Sequence, residues 1–170
     1  MWLIKNPQNY SVYVASNVFG DILSDEASQL TGGLGFAPSG NIGEHAALFE
    51  PSSGSVPKYA HQYKVNPCAM LMASKMMLDY IGLEEEGAKI EKAIGEVLVD
   101  SKPGTLTYDV LRDFRKDPDW EKHAVSTIDM AAAIAAKINP SFTGARLEEA
   151  KAKVHKMCAW DEASLVGFRD

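Results

Sequence analysis

The chain has 170 residues, 46% hydrophobic, 24% charged and 9% aromatic, proportions that exclude wholesale disorder and low-complexity polymers and allow one domain with a real core. Its 17 Lys and Arg stand against 23 Asp and Glu, a formal charge of −6 that argues against nucleic acid as a general partner but leaves room for a local phosphate contact. Two distant cysteines, Cys68 and Cys158, exclude a disulfide scaffold or structural zinc site, and no apolar run approaches the roughly 18 residues of a membrane span, so a cytoplasmic chain with no membrane partner is expected.

Met1 to Pro7 is too short and too soon broken for a signal peptide. Tyr10 to Ser16 is β-branched and aromatic, with Val12 and Val14 alternating against Ser11 and Tyr13, which predicts a strand. Gly20 to Leu30 has apolar residues at helical spacing (Ile22, Leu23, Ala27, Leu30) and acidic residues near its start. Thr31 to Gly43 holds five glycines and a proline and predicts loops around a strand at Gly35–Ala37. Ala46 to Glu50 reads as a short buried strand, followed by a polar loop from Pro51 to Val65. Asn66-Pro67 then opens a helix to about Ile81, ended by Gly82, with Leu71, Met72, Met76, Met77 and Tyr80 as its core face. Glu84 begins another helix with Ile90, Ile94, Val97 and Leu98 as its stripe. Thr105 to Phe114 leads through a strand or turn into a short helix, and Ser126 with Asp129 forms a capping box for an Ala-rich helix to about Ile138. Pro140 and Gly144 mark a boundary before a charged peripheral helix, Arg146 to Met157. Alternating strands and helices predict an α/β fold with a largely parallel sheet.

Three groups of residues could carry chemistry. Asp21 and Asp25 are four apart, so both carboxylates share one helix face; two hard oxygen ligands suit Mg²⁺ or Mn²⁺, although acidic residues also simply complement a helix N-terminus. Gly33 to Pro38 fails the GxGxxG pattern at its last position, and no phosphate-binding P-loop is present, so the glycines are accounted for by tight turns. Gly54 to Lys64 offers turn N–H groups, Lys58 and Lys64, and Tyr59, His61 and Tyr63, a composition suited to a nucleotide phosphate and equally to a solvated loop. His45, His123 and His155 are scattered as surface residues, Cys158 and Trp160 read as packing contacts, and no nucleophile elbow is visible.

The order of motifs resembles the C-terminal half of the β-decarboxylating dehydrogenases, the isocitrate/isopropylmalate dehydrogenase family. The matching runs are ASNVFGDILSDEASQLTGGLGFAPSGNIG, ALFEPSSGS, PKYAHQYKVNP, MMLDYIG and TLTYDVLRD, within residues 5 to 138. The resemblance implies that Asp21 and Asp25 ligate the divalent ion with a third aspartate of the partner subunit, that the Gly20–Leu30 helix packs at a homodimer interface, and that residues 1–138 form the family region, with a helical tail of unassigned role at 139–170. Members using NAD have an acidic residue after the loop's proline; here Lys58 stands there. The segment Ser53, Gly54, Ser55, Val56, Pro57, Lys58, Tyr59, together with Asn66 toward the adenine and Tyr108 and Arg112 toward a 2′-phosphate, is similar to bacterial-type NADP-dependent isocitrate dehydrogenase. A 2′-phosphate suits Lys58, Arg112 and two phenol hydroxyls.

The resemblance thus implies NADP, Mg²⁺ or Mn²⁺, and isocitrate oxidised and decarboxylated to 2-oxoglutarate. A fragment of a 3-isopropylmalate, homoisocitrate or tartrate dehydrogenase and a non-catalytic nucleotide-binding subunit are the alternatives. Ser53 departs from the histidine usual before the loop's glycine. The family's substrate-binding serine and arginines and its catalytic tyrosine and lysine fall N-terminal to Met1 in this alignment. No catalytic residue is therefore expected in the chain, which alone is expected not to turn over isocitrate without a partner chain supplying that half.

Overall fold

A computed structural model describes residues 1–100, 102 and 104–158, apart from the side chains of residues 114 and 155–158. One helical turn, α1 (Trp2–Lys5), and a 3₁₀ turn (Pro7–Asn9) come first. Tyr10–Ser16 is irregular rather than the predicted strand, with Val12 and Val14 82% and 95% exposed. An extended segment becomes a strand only where a neighbour takes its N–H and C=O groups, and among the described residues the sheet contains two other segments only. The next helix, α2 (Asn17–Ser28), begins three residues earlier than the pattern indicates, because Ser16 takes the extended N-cap conformation at φ −70°, ψ 157°. Its expected apolar stripe is not a core face: Ile22 and Leu30 are exposed, and the buried residue is Ser28.

The glycine-rich segment makes a turn, with Phe36 N–H donating to the Gly33 carbonyl at 3.0 Å. The strand predicted at Gly35–Ala37 accordingly starts later, as β1 (Pro38–Ile42), and pairs antiparallel with β2 (Ala47–Pro51) in the register Pro38↔Pro51 to Ile42↔Ala47. The expected parallel arrangement is thereby corrected. A connection as short as Gly43–Ala46 admits only a hairpin, since a parallel crossover needs about a dozen residues. β2 is also half-buried in alternation rather than buried throughout.

The hairpin lies against α3 (Cys68–Tyr80), where the Phe49 and Tyr80 rings are 5.6 Å apart. The left-handed Gly82 (φ 83°) ends this segment as its position predicts. The buried face of α3 is Cys68, Ala69 and Ala73, whereas Met77 and Tyr80, expected in the core, are exposed. Small residues let α3 and α4 (Glu84–Asp100) approach closely: a Cβ on Gly87 would lie 2.6 Å from Asp79 Oδ1. After the buried Leu106 and Thr107, the chain winds into a five-residue π-helical segment, Val110–Phe114, then α5 (Trp120–His123), α6 (Thr127–Ile138) and α7 (Ala145–Cys158).

The Ser126 capping box forms as written in the sequence. Asp129 N–H donates to Ser126 Oγ at 3.1 Å, and that hydroxyl donates to Asp129 Oδ2 at 2.7 Å. Cys68, Ile94, Val97, Leu106, Val110, Leu111, Met130 and Ile134 form one core joining α3, α4, the π-helical segment and α6. Trp160 lies outside the described residues, as does the side chain of Cys158.

Candidate functional site

The loop that follows β2 is held at its far end by α6: Thr127 N–H donates to the Tyr63 carbonyl (2.7 Å) and its hydroxyl to the Val65 carbonyl (2.5 Å). Within it Val56, His61 and Tyr63 take left-handed backbone (φ 42°, 61° and 49°), which costs each side chain steric strain and fixes a course ordinary turns do not follow. That course brings Tyr59 to Tyr108, which precedes the π-helical segment. Their rings meet edge-on at 5.7 Å and their hydroxyls hydrogen-bond. Lys58 Nζ lies 5.0 Å from the Tyr59 ring centroid, and the Arg112 guanidinium 5.4 Å from that of Tyr108. Four residues named from two distant stretches of sequence therefore form one cluster.

Two cavities flank it. One of about 340 Å³ is lined by Gly33, Gly35, Ser53, Val56, Tyr59, Asn66, Tyr108, Asp109, Arg112 and Asp113 among others. The second, about 420 Å³, lies beyond the tyrosine pair and is lined by Tyr63, Lys64 and Trp120 together with Tyr59, Tyr108 and Arg112. Ser53, Val56, Tyr59, Asn66, Tyr108 and Arg112 of the expected cofactor set thus face one cavity. Gly54, Ser55 and Pro57 are exposed and line neither cavity, and Lys58 enters the cluster only through Tyr59.

The floor of the smaller cavity is a buried polar network. Asp109 accepts from Asn66 Nδ2 (2.9 Å) on one oxygen and from the Thr107 hydroxyl (2.6 Å) on the other, while Asn66 Oδ1 accepts from Cys68 N–H (2.9 Å). Asn66 therefore braces the start of α3, whose N-cap is Pro67 rather than Asn66, and has a second amide hydrogen besides the one on Asp109. Gly35 is needed here because a Cβ would sit 3.2 Å from Asp109 Oδ2. Asp109, Thr107 and Asp113 were not singled out from sequence; the signal available was their adjacency to Tyr108 and Arg112 in TLTYDVLRD.

Electrostatically, the two phenols diverge. Burial pushes Tyr108 up to about 12, and the hydrogen bond from Tyr108, then Lys58, holds Tyr59 below the usual tyrosine value. The cluster is a set of donors: an ammonium, a guanidinium and two hydroxyls, chemistry that fits a phosphate monoester. The Cys68 thiol, raised to about 12 by burial, is unreactive.

Asp21 and Asp25 sit one turn apart on the exposed side of α2. Ser24 and Ser28 turn their hydroxyls back onto the main-chain carbonyls of Asp21 and Asp25, and both aspartates are exposed. Neither carboxylate is in an ion pair among the described residues. The pair fits a hard divalent cation but supplies two ligands, and no group of three or more His, Cys, Asp or Glu is assembled among the described residues. His45 and His123 are exposed, as expected, and so is His61; His123 bonds Asp117 at 2.7 Å, and His155's side chain lies outside the described residues. No described helix is long and apolar enough to cross a membrane.

Comparison with known proteins supplies the family. The chain is 44% identical over 135 residues to 3-isopropylmalate dehydrogenase of Methanothermobacter thermautotrophicus (79% of this chain, 37% of that protein). It is 51% identical over 102 residues to homoisocitrate dehydrogenase of Methanocaldococcus jannaschii (60% and 29%). It is also 46% identical over 103 residues to the probable mitochondrial NAD isocitrate dehydrogenase subunit alpha of Caenorhabditis elegans (61% and 29%). Among solved structures, isocitrate dehydrogenase from Methylococcus capsulatus superposes with a TM-score of 0.71 at 40% identity, over 81% of this chain and 38% of that one. The chain spans about a third of the length of these relatives. The α/β fold and the match over residues 1–134 make this chain a member of the isocitrate/isopropylmalate dehydrogenase family.

Proposed function

We propose that the chain carries the cofactor and metal determinants of an NADP-dependent isocitrate dehydrogenase, within residues 1–138, and acts with a divalent Mg²⁺ or Mn²⁺ ion in the oxidative decarboxylation of isocitrate to 2-oxoglutarate. The observation that supports NADP is the clustering of Tyr59, Tyr108 and Arg112 around one cavity, with Lys58 beside them against the Tyr59 ring. In this reading Lys58 and Arg112 neutralise the 2′-phosphate, Tyr59 donates its hydroxyl hydrogen to it, and Tyr108 exchanges its bond to Tyr59 for one to the phosphate. Ser53 to Pro57 wrap the adenosine with main-chain groups, and Asn66 faces the adenine with its remaining amide hydrogen. Asp21 and Asp25 hold the metal, with the other ligands coming from substrate, water or a partner subunit. When bound, the metal stabilises negative charge developing on substrate oxygens and the nicotinamide takes the hydride. No residue of this chain is assigned the proton-transfer steps, and residues 139–170 are assigned no role.

A titration of the purified chain with NADP and with NAD tests the cofactor. NADP is expected to bind more tightly, and Lys58→Ala to weaken it about tenfold, the scale of one charged hydrogen bond, about 1.5 kcal/mol. A preference for NAD that survives Lys58→Asp overturns the reading. Mn²⁺ binding followed by electron paramagnetic resonance, lost in Asp21→Asn, tests the metal pair. The names of the relatives favour a second reading, an isopropylmalate or homoisocitrate dehydrogenase, and activity of the assembled enzyme on those acids with none on isocitrate would establish it.

A further inference from the structure

We propose that Asp113 is a specificity-determining residue that holds Arg112 and narrows the pocket's discrimination between an adenosine bearing a 2′-phosphate and one bearing a free 2′-hydroxyl. The inference rests on the 2′-phosphate reading above and adds a residue that acts against it. Adjacent residues in a helix ordinarily point apart. Here the wider π-helical turn carries Arg112 and Asp113 side by side, and the guanidinium folds back onto its neighbour with two parallel bonds, Nε to Oδ1 at 2.7 Å and Nη2 to Oδ2 at 2.8 Å. Such a fork is the strongest pairing geometry a guanidinium makes.

Arg112 has five N–H groups, so three stay available to a phosphate. Its charge, however, is already met before any ligand arrives. Both residues line the cavity that Tyr59, Asn66 and Tyr108 line, and Asp109 lies on the same wall. The cations of the cluster are Lys58 and Arg112; the carboxylates beside them are Asp109 and Asp113. Asp109 is engaged by Asn66 and Thr107, buried donors that hold it inward. Asp113, nearly half exposed, is the carboxylate whose charge a phosphate on Arg112 meets at close range. A 2′-hydroxyl, by contrast, is a donor, and a carboxylate accepts it. A pocket with both groups binds either adenosine, and the balance lies with Asp113.

The experiment compares adenosine 2′-monophosphate with adenosine by isothermal titration of the 170-residue chain, in wild type, Asp113→Asn, Asp113→Ser, Asp113→Glu and Lys58→Ala. Asp113→Asn and Asp113→Ser are expected to bind the 2′-phosphate about tenfold more tightly, the scale of one near-surface charge contact, with adenosine unchanged or weaker. Asp113→Glu is expected to stay within about twofold of wild type, since the charge is kept. If neither neutral variant gains affinity for the 2′-phosphate while circular dichroism shows it folded, or if adenosine gains as much, the inference is overturned. The underlying reading fails separately: Lys58→Ala leaving 2′-phosphate affinity unchanged removes the phosphate site, whatever Asp113 does.

Discussion

Thr107, fully buried, is the side chain on which the polar network at Asp109 rests. Its hydroxyl donates to Asp109, and Asp109 in turn holds Asn66, 43 residues away in sequence. Thr107→Val keeps the shape and removes the donor, leaving a carboxylate oxygen short of a partner. A loss of about 1–3 kcal/mol in urea unfolding is expected, together with weaker nucleotide binding as Asn66 loosens. At the rim, Tyr108→Phe tests the phenol pair. The largest cause that lowers Tyr59 is the hydrogen bond from Tyr108, which stabilises its phenolate. Without that donor the Tyr59 phenol should ionise at higher pH, and the difference between the two ultraviolet titration curves should show a phenolate moving upward. A curve that loses one half-buried, late-titrating phenol and changes nothing else would refute that coupling.

The helices show which local signals decide structure. Ser126 caps α6 because its acceptor, its N3 partner Asp129 and the extended residue before the helix all lie within four positions, so the pattern was legible in sequence. Ser126→Ala is expected to cost about 1 kcal/mol of unfolding free energy. The same element sets an acid limb. Asp129 is held below the usual carboxylate value chiefly by Lys151 of α7, 2.7 Å away, and then by Ser126. A carboxyl with a depressed folded pKa contributes its stabilisation fully above its unfolded value of 3.8 and loses it as pH falls through the folded one. Lys151→Ala should therefore lower the urea midpoint at neutral pH, by an amount that shrinks progressively as pH falls below 3.8. What sequence did not reveal is non-local. Among the described residues Tyr10–Ser16 has strand composition but no ladder partner, Met77 and Tyr80 have helical spacing but are exposed, and the Asn66–Asp109–Thr107 network joins segments that only the fold brings together. By contrast, the grouping of Lys58, Tyr59, Tyr108 and Arg112 was legible in the motif match, and the fold does bring the four together, although the Arg112–Asp113 fork was not visible in it.

At the scale of the whole molecule, the ordinary composition conceals an uneven surface. The core runs from α3 to α6, whereas the N-terminal stretch presents Val12, Val14, Val18, Phe19 and Ile22 to solvent, next to Asp21 and Asp25. Contiguous exposed side chains of this kind mark an interaction surface more often than a solvated one, and water exclusion there gains roughly 25 cal/mol per Å² of apolar area. The net charge of −6 keeps the chain soluble but is screened at physiological salt, so it opposes association only weakly. If Asp21 and Asp25 hold a metal as proposed, association through this face would also place a second copy's groups beside that two-carboxylate pair. Sedimentation equilibrium of the chain should therefore give a mass above the 18.5 kDa monomer that rises with concentration. Phe19→Glu with Val14→Lys should return it to the monomer while leaving the far-ultraviolet circular dichroism unchanged, because neither side chain belongs to the core. A wild-type chain that sediments as a monomer throughout would show that this face is not an interface between copies, and the remaining metal ligands would then have to come from substrate, water or a different chain.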